Sequence, residues 1–324
     1  MKRLSICLLA LLFCFTAVVP AFAEEETAVG KISEVERILY GTEQKGSLVE
    51  RTDSIEEDIN GSVTDDAILT RIDRIHSYVK GRPNASAASF LIKLNMIEWA
   101  FTKNLSEGPA KSRLENTEKL LNGRPGVGAL DDRISVLMAM VFPGGELEVK
   151  EVVLPKDTLI KISIAQALDS KSIQEGDKVR FRAEDSIYIG DVLVIPKGAL
   201  GNGVVSKVSR ARNFGRNGKV EIDYTDIKMI DNNEAFLVLG KLARKETENM
   251  AYAAGASVAG MIILGPFGVI GGAFVKGKEY RVPEGALLYV QTREDAIANG
   301  VVMPEELKAA DKEQSNFSGD GGGL

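Results

Sequence analysis

The pattern Leu48-x-x-Arg51-x-Asp53-x-Ile55-x-x-x-Ile59-x-Gly61 returns 20 residues later as Ile68-x-x-Arg71-x-Asp73-x-Ile75-x-x-x-Val79-x-Gly81. A third copy runs Ala110, Arg113, Glu115, Thr117, Leu121, Gly123. A fourth runs Leu130, Arg133, Ser135, Leu137, Val141, with Pro143 in place of the glycine. A partial first copy ends Val35, Leu39, Gly41, and a degenerate middle copy reads Lys93, Asn95, Ile97, Phe101. A fixed internal period means stacked, equivalent units. Apolar residues at i, i+7 and i+11 share one face of a helix. The recurrent glycine ends each helix where a left-handed residue is cheap. The stretches 62–66 and 106–109 supply capping and turn residues. Helices this short are unstable alone in water, so they pack on one another or on a partner. Residues 31–143 are thus expected to be a helical repeat domain. The repeated Arg and acid stand two apart and cannot face each other on one helix. They are either bridges between neighbouring helices or a solvated rim. The repeats are either a contact surface for an envelope protein or cell-wall partner, or a structural stack.

After Pro143-Gly144-Gly145 the period changes. Segments 149–153, 159–165, 178–183, 187–195, 203–208, 219–227 and 235–239 are β-branched or alternating and read as strands. Asn217-Gly218 is a hairpin signal. Leu154-Pro155-Lys156-Asp157, Ile195-Pro196-Lys197-Gly198 and Val282-Pro283-Glu284-Gly285 repeat one turn motif, each entering a strand. Its third copy lies beyond an uncharged stretch, Met250 to Val275. Residues 149–294 are therefore expected to be one β-barrel-like domain with 250–275 inserted in it. The fold class is α+β: repeated short helices, then a mostly antiparallel barrel with an apolar glycine-rich helical hairpin.

The order of strand, "IPKGA" turn, "GRNGKVEIDYTDIKMIDN", apolar insert and "VPEGALLYV" resembles the periplasmic β-barrel of TrbI-type conjugation and type IV secretion proteins. It is also similar to bacterial envelope proteins that place a glycine zipper between barrel strands. The resemblance covers about residues 149–294 and implies an outer-membrane-associated barrel in a ring, with its helical insert touching membrane. The chain departs from the TrbI pattern at its N-terminus, where a cleavable signal replaces a cytoplasmic tail, an inner-membrane helix and a proline-rich linker.

In the insert, Gly265-Pro266-Phe267-Gly268 reads as a turn. The 15-residue first arm, 250–264, reaches about 22 Å as a helix, short of a ~30 Å hydrocarbon core. Gly255, Gly260, Gly265, Pro266, Gly268, Gly271 and Gly272 are the candidate membrane or oligomer contacts, since small residues four apart allow close helix approach. Three placements are open: in or on a membrane, buried against the rest of the protein, or between copies in a homo-oligomer.

Lys2 and Arg3, an apolar run over 4–19 and Ala21-Phe22-Ala23 form a secretory signal expected over 1–23. Both cysteines, Cys7 and Cys14, fall inside it, so the mature chain has no disulfide or thiol chemistry. Losing Lys2 and Arg3 takes the net charge from -6 to -8, which argues against nucleic acid as a partner. Against this acidic background Lys207, Arg210, Arg212, Arg216 and Lys219 cluster around the hairpin turn. They form either a solvated tip or a contact for an anionic surface.

His76 is the only histidine and is expected to be a solvated helix residue. No metal motif is present, and Gly198-x-x-Gly201-x-Gly203 lacks the Gly-Lys-Ser/Thr of a phosphate loop. No cofactor is expected. Residues 295–312 are expected to hold a short helix and 313–324 a flexible tail. The sequence thus points to a non-enzymatic exported cell-envelope protein in the periplasm or at the outer membrane of a bacterium, a scaffold or binding module. The alternatives are a secretion or conjugation channel subunit and an envelope enzyme acting on wall polymers.

Overall fold

The computed structural model describes residues 27–209, 219–253, 262–264, 268–270 and 281–319. Six helices come first: α1 (Ala28–Tyr40), α2 (Leu48–Asn60), α3 (Ile68–Lys80), α4 (Phe90–Thr102), α5 (Ala110–Asn122) and α6 (Leu130–Val141). Their starts are 20 residues apart, except for a step of 22 between α3 and α4. The series therefore divides into two sets of three that repeat each other at a spacing of 62 residues.

Side-chain pairs fix how the helices run. Ser33 meets Arg51, Asp53 meets Arg71 and Asn95 meets Arg113, always the sixth residue of one helix with the fourth of the next. Tyr40 meets Asp58, the thirteenth with the eleventh. Because the offset is the same near both ends, consecutive helices run parallel. Each connection within a set must then travel back along the helix it leaves. The connections 41–47, 61–67, 103–109 and 123–129 have seven residues each, and seven extended residues reach about 23 Å. A 13-residue helix is about 20 Å long, so the loop length matches the helix length.

The glycines that end α1, α2 and α3 locate the second set. An ideal Cβ on Gly41 would lie 2.8 Å from Pro109, on Gly61 3.7 Å from Ala129, and on Gly81 3.4 Å from Ser89. Pro109, Ala129 and Ser89 are the residues that open α5, α6 and α4. The C-terminal ends of α1–α3 thus sit on the N-terminal ends of α4–α6, two three-helix layers stacked end to end. Each layer buries its stripe inward, with Ile32, Val35, Leu39, Ile55, Ile72 and Val79 in the first layer and Leu94, Ile97, Leu114, Ile134 and Leu137 in the second. Helix α4 has apolar residues on every side, broken by Lys93, Asn95 and Glu98, and nine of its residues are buried. It is enclosed between its neighbours and the β region, the setting that a helix apolar on more than one face requires.

The β region contains β1 (Val149–Leu154), β2 (Leu159–Ile164), β3 (Leu168–Asp169), β4 (Lys178–Ala183), β5 (Ile187–Ile189), β6 (Val192–Ile195), β7 (Leu200–Ser209), β8 (Lys219–Lys228) and β9 (Glu234–Val238). It continues with helix α7 (Lys241–Ala253), β10 (Ile262–Leu264), β11 (Gly268–Ile270), β12 (Arg281–Val282), β13 (Leu287–Thr292), β14 (Ala296–Val302) and helix α8 (Glu305–Gly319). The order β13-β2-β4-β7-β8-β9 closes into a barrel, and β1-β14-β6-β5 forms a sheet beside it. Alternation sends Ile160, Ile162, Val179, Phe181, Ile222 and Val290 inside. Gly201 leaves the room that the Phe181 ring fills, since a Cβ there would lie 2.0 Å from it. Phe181 in turn packs edge-on to Tyr224 at 5.5 Å. The barrel is a packed core.

The three Pro-containing motifs form one kind of corner. Asp157, Gly198 and Gly285 all take positive φ (64°, 80° and 78°). In each, the residue that follows donates its amide to the proline carbonyl, at 3.3, 3.0 and 3.3 Å. Each corner also pairs with the end of another barrel strand: Asp157 with Thr292, Gly198 with Ala183, Gly285 with Ile164. The expected return of 282–290 to the barrel is what the pairing of β13 with β2 shows. Two of these glycines separate two effects. Gly285→Ala meets only backbone strain, about 1 kcal/mol. Gly198→Ala adds a Cβ 2.3 Å from the Lys103 carbonyl oxygen, so its loss of stability in a urea titration should be clearly the larger.

Three expectations differ in detail. The segment 187–195 is two strands split at Gly190, which takes a positive φ of 66°. A strand, β14, occupies most of the start of the expected 295–312 helix. Its AIANGVV sequence is β-branched at Ile297, Val301 and Val302 and pairs with β1 and β6. Helix α8 then begins after Pro304 and runs to Gly319, into the expected tail. In the insert, α7 contributes only Met250–Ala253. The next described pieces, β10 and β11, are an antiparallel pair and not helices, in keeping with the β-branched Ile262, Ile263, Val269 and Ile270. Gly268 opens β11, while Gly255, Gly260, Gly265, Pro266, Gly271 and Gly272 lie outside the described residues, as does the expected signal.

Strand β9 pairs with β13 only at Gln291 and Thr292 and with β8 only at 226–228, so the barrel has a short side. Helix α7 and strand β10 lie there, α7 against β13 and β10 against β8 and β13. Thr247 Oγ1 accepts the Tyr289 amide at 2.9 Å, and Gln291 Oε1 accepts the Ala243 amide at 3.0 Å. Helix α7, which leads into the insert, and strand β10 within it thereby cover an edge that would otherwise present free backbone groups.

Candidate binding cleft between the helices and the barrel

A ladder of buried ion pairs holds the helices that form one wall of the cleft. Glu36, Glu56, Glu98 and Glu118 are each the ninth residue of their helix and are buried. Each pairs with the arginine 15 residues on, and three of them accept a two-pronged hydrogen bond from it. Arg51 reaches Glu36 at 2.9 and 2.6 Å, Arg113 reaches Glu98 at 3.0 and 2.7 Å, and Arg133 reaches Glu118 at 2.9 and 2.7 Å. Glu56 is the variant: Arg71 approaches only its Oε2, at 3.0 and 2.9 Å, while Arg74 donates to Oε1 at 2.9 Å. Each glutamate also accepts an amide of the returning loop eight residues on: Gln44, Thr64, Ser106 and Gly126, at 2.7–3.0 Å. One carboxylate thus ties its own helix, the loop beside it and the next helix. Burial pushes the Glu56 carboxyl up, but the Thr64 amide and the Arg71 and Arg74 guanidinium groups outweigh it and leave it at about 2. Glu118 goes the same way: burial raises it, and Arg133 with the Gly126 amide brings it below the ordinary carboxylate range.

The ladder stops at the last helix of each layer, where His76 and Met138 take the ninth position. His76 is not solvated as expected; it is mostly buried, 2.9 Å from Glu34, which Lys80 also holds at 2.5 Å. Of the two readings of the repeated arginines, bridging is the one seen. The acid two residues on is a partner only for Arg71, through Asp53 one repeat back.

The helices and barrel are joined at α4 and the loop after it. Asn95 accepts from Arg113 at 2.6 Å and donates to the Ile230 carbonyl at 2.8 Å, linking the ladder to the barrel. Arg182 donates to the carbonyls of Leu105 and Gly198 at 2.8 and 3.0 Å. Lys103 stands where other repeats have glycine, with φ 53°. Its ammonium lies 3.4 Å from the centre of the Trp99 ring, and burial lowers its proton affinity.

Three cavities follow this junction, of about 310, 520 and 650 Å³. Lys228 and Asn232 line both of the first two; Glu107, Arg180 and Leu200 line both of the last two, so they form one cleft. Ile38 and Leu91 give it an apolar strip. Its rims are charged and mixed in sign: Glu34, Arg37 and Lys80 from the helices, Lys228 and Glu234 from the barrel, and the Glu107–Arg180 ion pair across the middle. Asp231 lines one end. Burial raises its carboxyl despite the amides of Asn299 and Asn233, and burial does the same to nearby Asp226, which Asn202 contacts at 3.0 Å. Such a cleft suits an extended polar chain, with apolar contact along the floor and hydrogen bonds at the rims. Glu107 and Glu284 line the same cavity, but Glu107 is committed to Arg180. Among the described residues no cluster of three His, Cys, Asp or Glu is placed to hold a metal ion.

The basic cluster lies elsewhere. Lys207 is exposed on β7 opposite Glu221, and Lys219 starts β8 opposite Ser209. Arg210, Arg212 and Arg216 lie outside the described residues. The cleft was not foreseen. Its one trace in the sequence is the degenerate middle repeat, whose extra apolar residues Phe90, Leu91, Ile92 and Trp99 are those enclosed between the helices and the barrel. No family model matches the chain, and no curated protein matches it. Among solved structures the chain is similar to ComB10 of the Com type IV secretion system of Helicobacter pylori, at 14% identity and a TM-score of 0.26, over 44% of this chain and 88% of that chain. A likeness at that level leaves the function to the geometry.

Proposed function

We propose that the protein is a non-enzymatic, exported cell-envelope scaffold that holds an extended partner chain in the cleft between its helices and its barrel. The observation that carries this reading is the cleft itself. It is continuous across two architectures, and a buried hydrogen bond from Asn95 and a half-buried one from Arg182 tie its two walls together. A peptide or wall-polymer partner of mixed charge fits its rims. A photo-crosslinking amino acid at Asn232, on the cleft, should capture an envelope component in living cells. The same residue at exposed Val153, on β1 and away from the cleft, should not. Absence of any adduct at Asn232, or equal adducts at both, would overturn the reading.

The glycine-rich insert is the scaffold's second contact, with membrane or with other copies. Among the described residues no helix is long and apolar enough to cross a membrane. Because β13, beyond the insert, returns to the same barrel as β2, the membrane contact proposed is a segment that dips into or lies on the bilayer. Deleting 254–275 should release the protein from carbonate-washed membranes as a folded species. If the intact protein is already released, the membrane half of this reading fails.

A further inference from the structure

The two helical layers show how one layer's end receives the next, and the array has a free end of each kind. Inside the chain, the eleventh residues of the first layer meet the second residues of the next. Lys111 Nζ lies 2.8 Å from Asp58, and the Tyr78 hydroxyl donates to Asp131 at 2.5 Å. At the spacing of 62 residues, Asp58 corresponds to Leu120 and Tyr78 to Met140, on the outer end of α5 and α6. Lys111 corresponds to Val49 and Asp131 to Leu69, on the outer end of α2 and α3. All four are apolar and well exposed, at 66%, 56%, 50% and 60%, with Val29 of α1 at 52% beside them. Gly123, which corresponds to the Gly61 that meets Ala129, has nothing within 4 Å of its would-be Cβ.

We propose that copies of this chain associate head to tail through these ends, Leu120 and Met140 of one copy against Val49 and Leu69 of the next. The contact reproduces the internal junction, with each polar pair replaced by an apolar pair. That exchange is the mark of a surface made to be covered, since exposed apolar residues in register at both ends serve no purpose in a lone array. Complementarity is in kind as well as place: the internal Asp–Lys and Tyr–Asp pairs require polar residues on both sides, and the free ends are apolar on both sides. The end of α4 is flanked by the barrel and α8, through Lys103 near Asp311 at 3.9 Å, so α5 and α6 carry the contact. Unlike ends meeting give a heterologous interface, which builds a ring or an open fibre.

The test is sedimentation of the mature chain over a range of concentrations. The wild type should grow in mass with concentration. Leu120→Asp and Val49→Lys alone should each weaken association at least about tenfold, because a charge would be buried against an apolar residue. Mixing the two variants, or combining both in one chain, should restore assembly by installing between copies the same Asp–Lys pair that Asp58 and Lys111 make within one. Circular dichroism of each variant should match the wild type, as the sites are exposed. A wild type that stays monomeric, single variants that assemble as it does, or assembly lost only on removing 254–275 would each overturn the proposal.

Discussion

Glu98→Ala should destabilise the protein by about 3–5 kcal/mol, the largest effect expected of any single substitution here. The buried Glu98 carboxylate accepts both prongs of the buried Arg113 and, from the loop surface, the Ser106 amide. Removing it leaves the buried Arg113 charge without its counter-ion, held only by the neutral Asn95 amide oxygen. The rung also supports Asn95, and through it the Ile230 carbonyl of the barrel. The loss should therefore appear in both the helical signal and the fluorescence of Trp99, the single tryptophan. Glu98→Leu with Arg113→Met should recover much of the stability, since removing both charges avoids the orphan. If Glu98→Ala lowers the unfolding free energy from a denaturant titration by less than about 1 kcal/mol, the ladder is not what holds the layers.

Acid should loosen the helices ahead of the barrel. Glu56 ionises at about 2 in the folded chain against an ordinary value of 4.5. A depressed value means stability that is complete above about 4.5 and lost as pH falls toward 2. At about 1.4 kcal/mol per tenfold change in proton affinity, that rung contributes about 3 kcal/mol. Glu118 moves in the same direction. Asp226 and Asp231 on the barrel are raised, chiefly by burial, so their protonation favours the fold as pH falls. Hydrogen exchange at pH 3 should show amides of α2 and α5 opening before those of β8. Uniform protection across both would contradict this assignment.

The helices were legible because their signal is local. Apolar spacing, the closing glycine and the period all act within one unit. What the period could not reveal is the direction of consecutive helices, because a seven-residue loop between 13-residue helices permits either a wide turn or a full return. The informative residue was Glu36 and its counterparts, 15 before the next arginine, a spacing too long for any single-helix pattern. The Pro-containing corners were legible because proline and a left-handed residue fix a turn without help from neighbours. The insert misled because glycine, alanine and β-branched residues together suit a close-packed helix pair as well as a strand pair, and contact with β8 and β13 is information from elsewhere in the chain. The cleft was hidden for the same reason: its walls come from residues more than 100 positions apart, such as Ile38 and Asn202.

Parallel packing also has an electrical consequence. Each helix carries partial positive charge at its N-terminus and partial negative charge at its C-terminus, roughly half an elementary charge. In an antiparallel bundle neighbouring dipoles cancel; here those of each layer point the same way and repel sideways, a cost that the buried Glu–Arg pairs offset. End to end, the negative end of the first layer lies against the positive end of the second, which favours the stacked arrangement. The whole array is therefore a polar rod, positive at the starts of α1–α3 and negative at the ends of α4–α6, and its two ends attract their opposites.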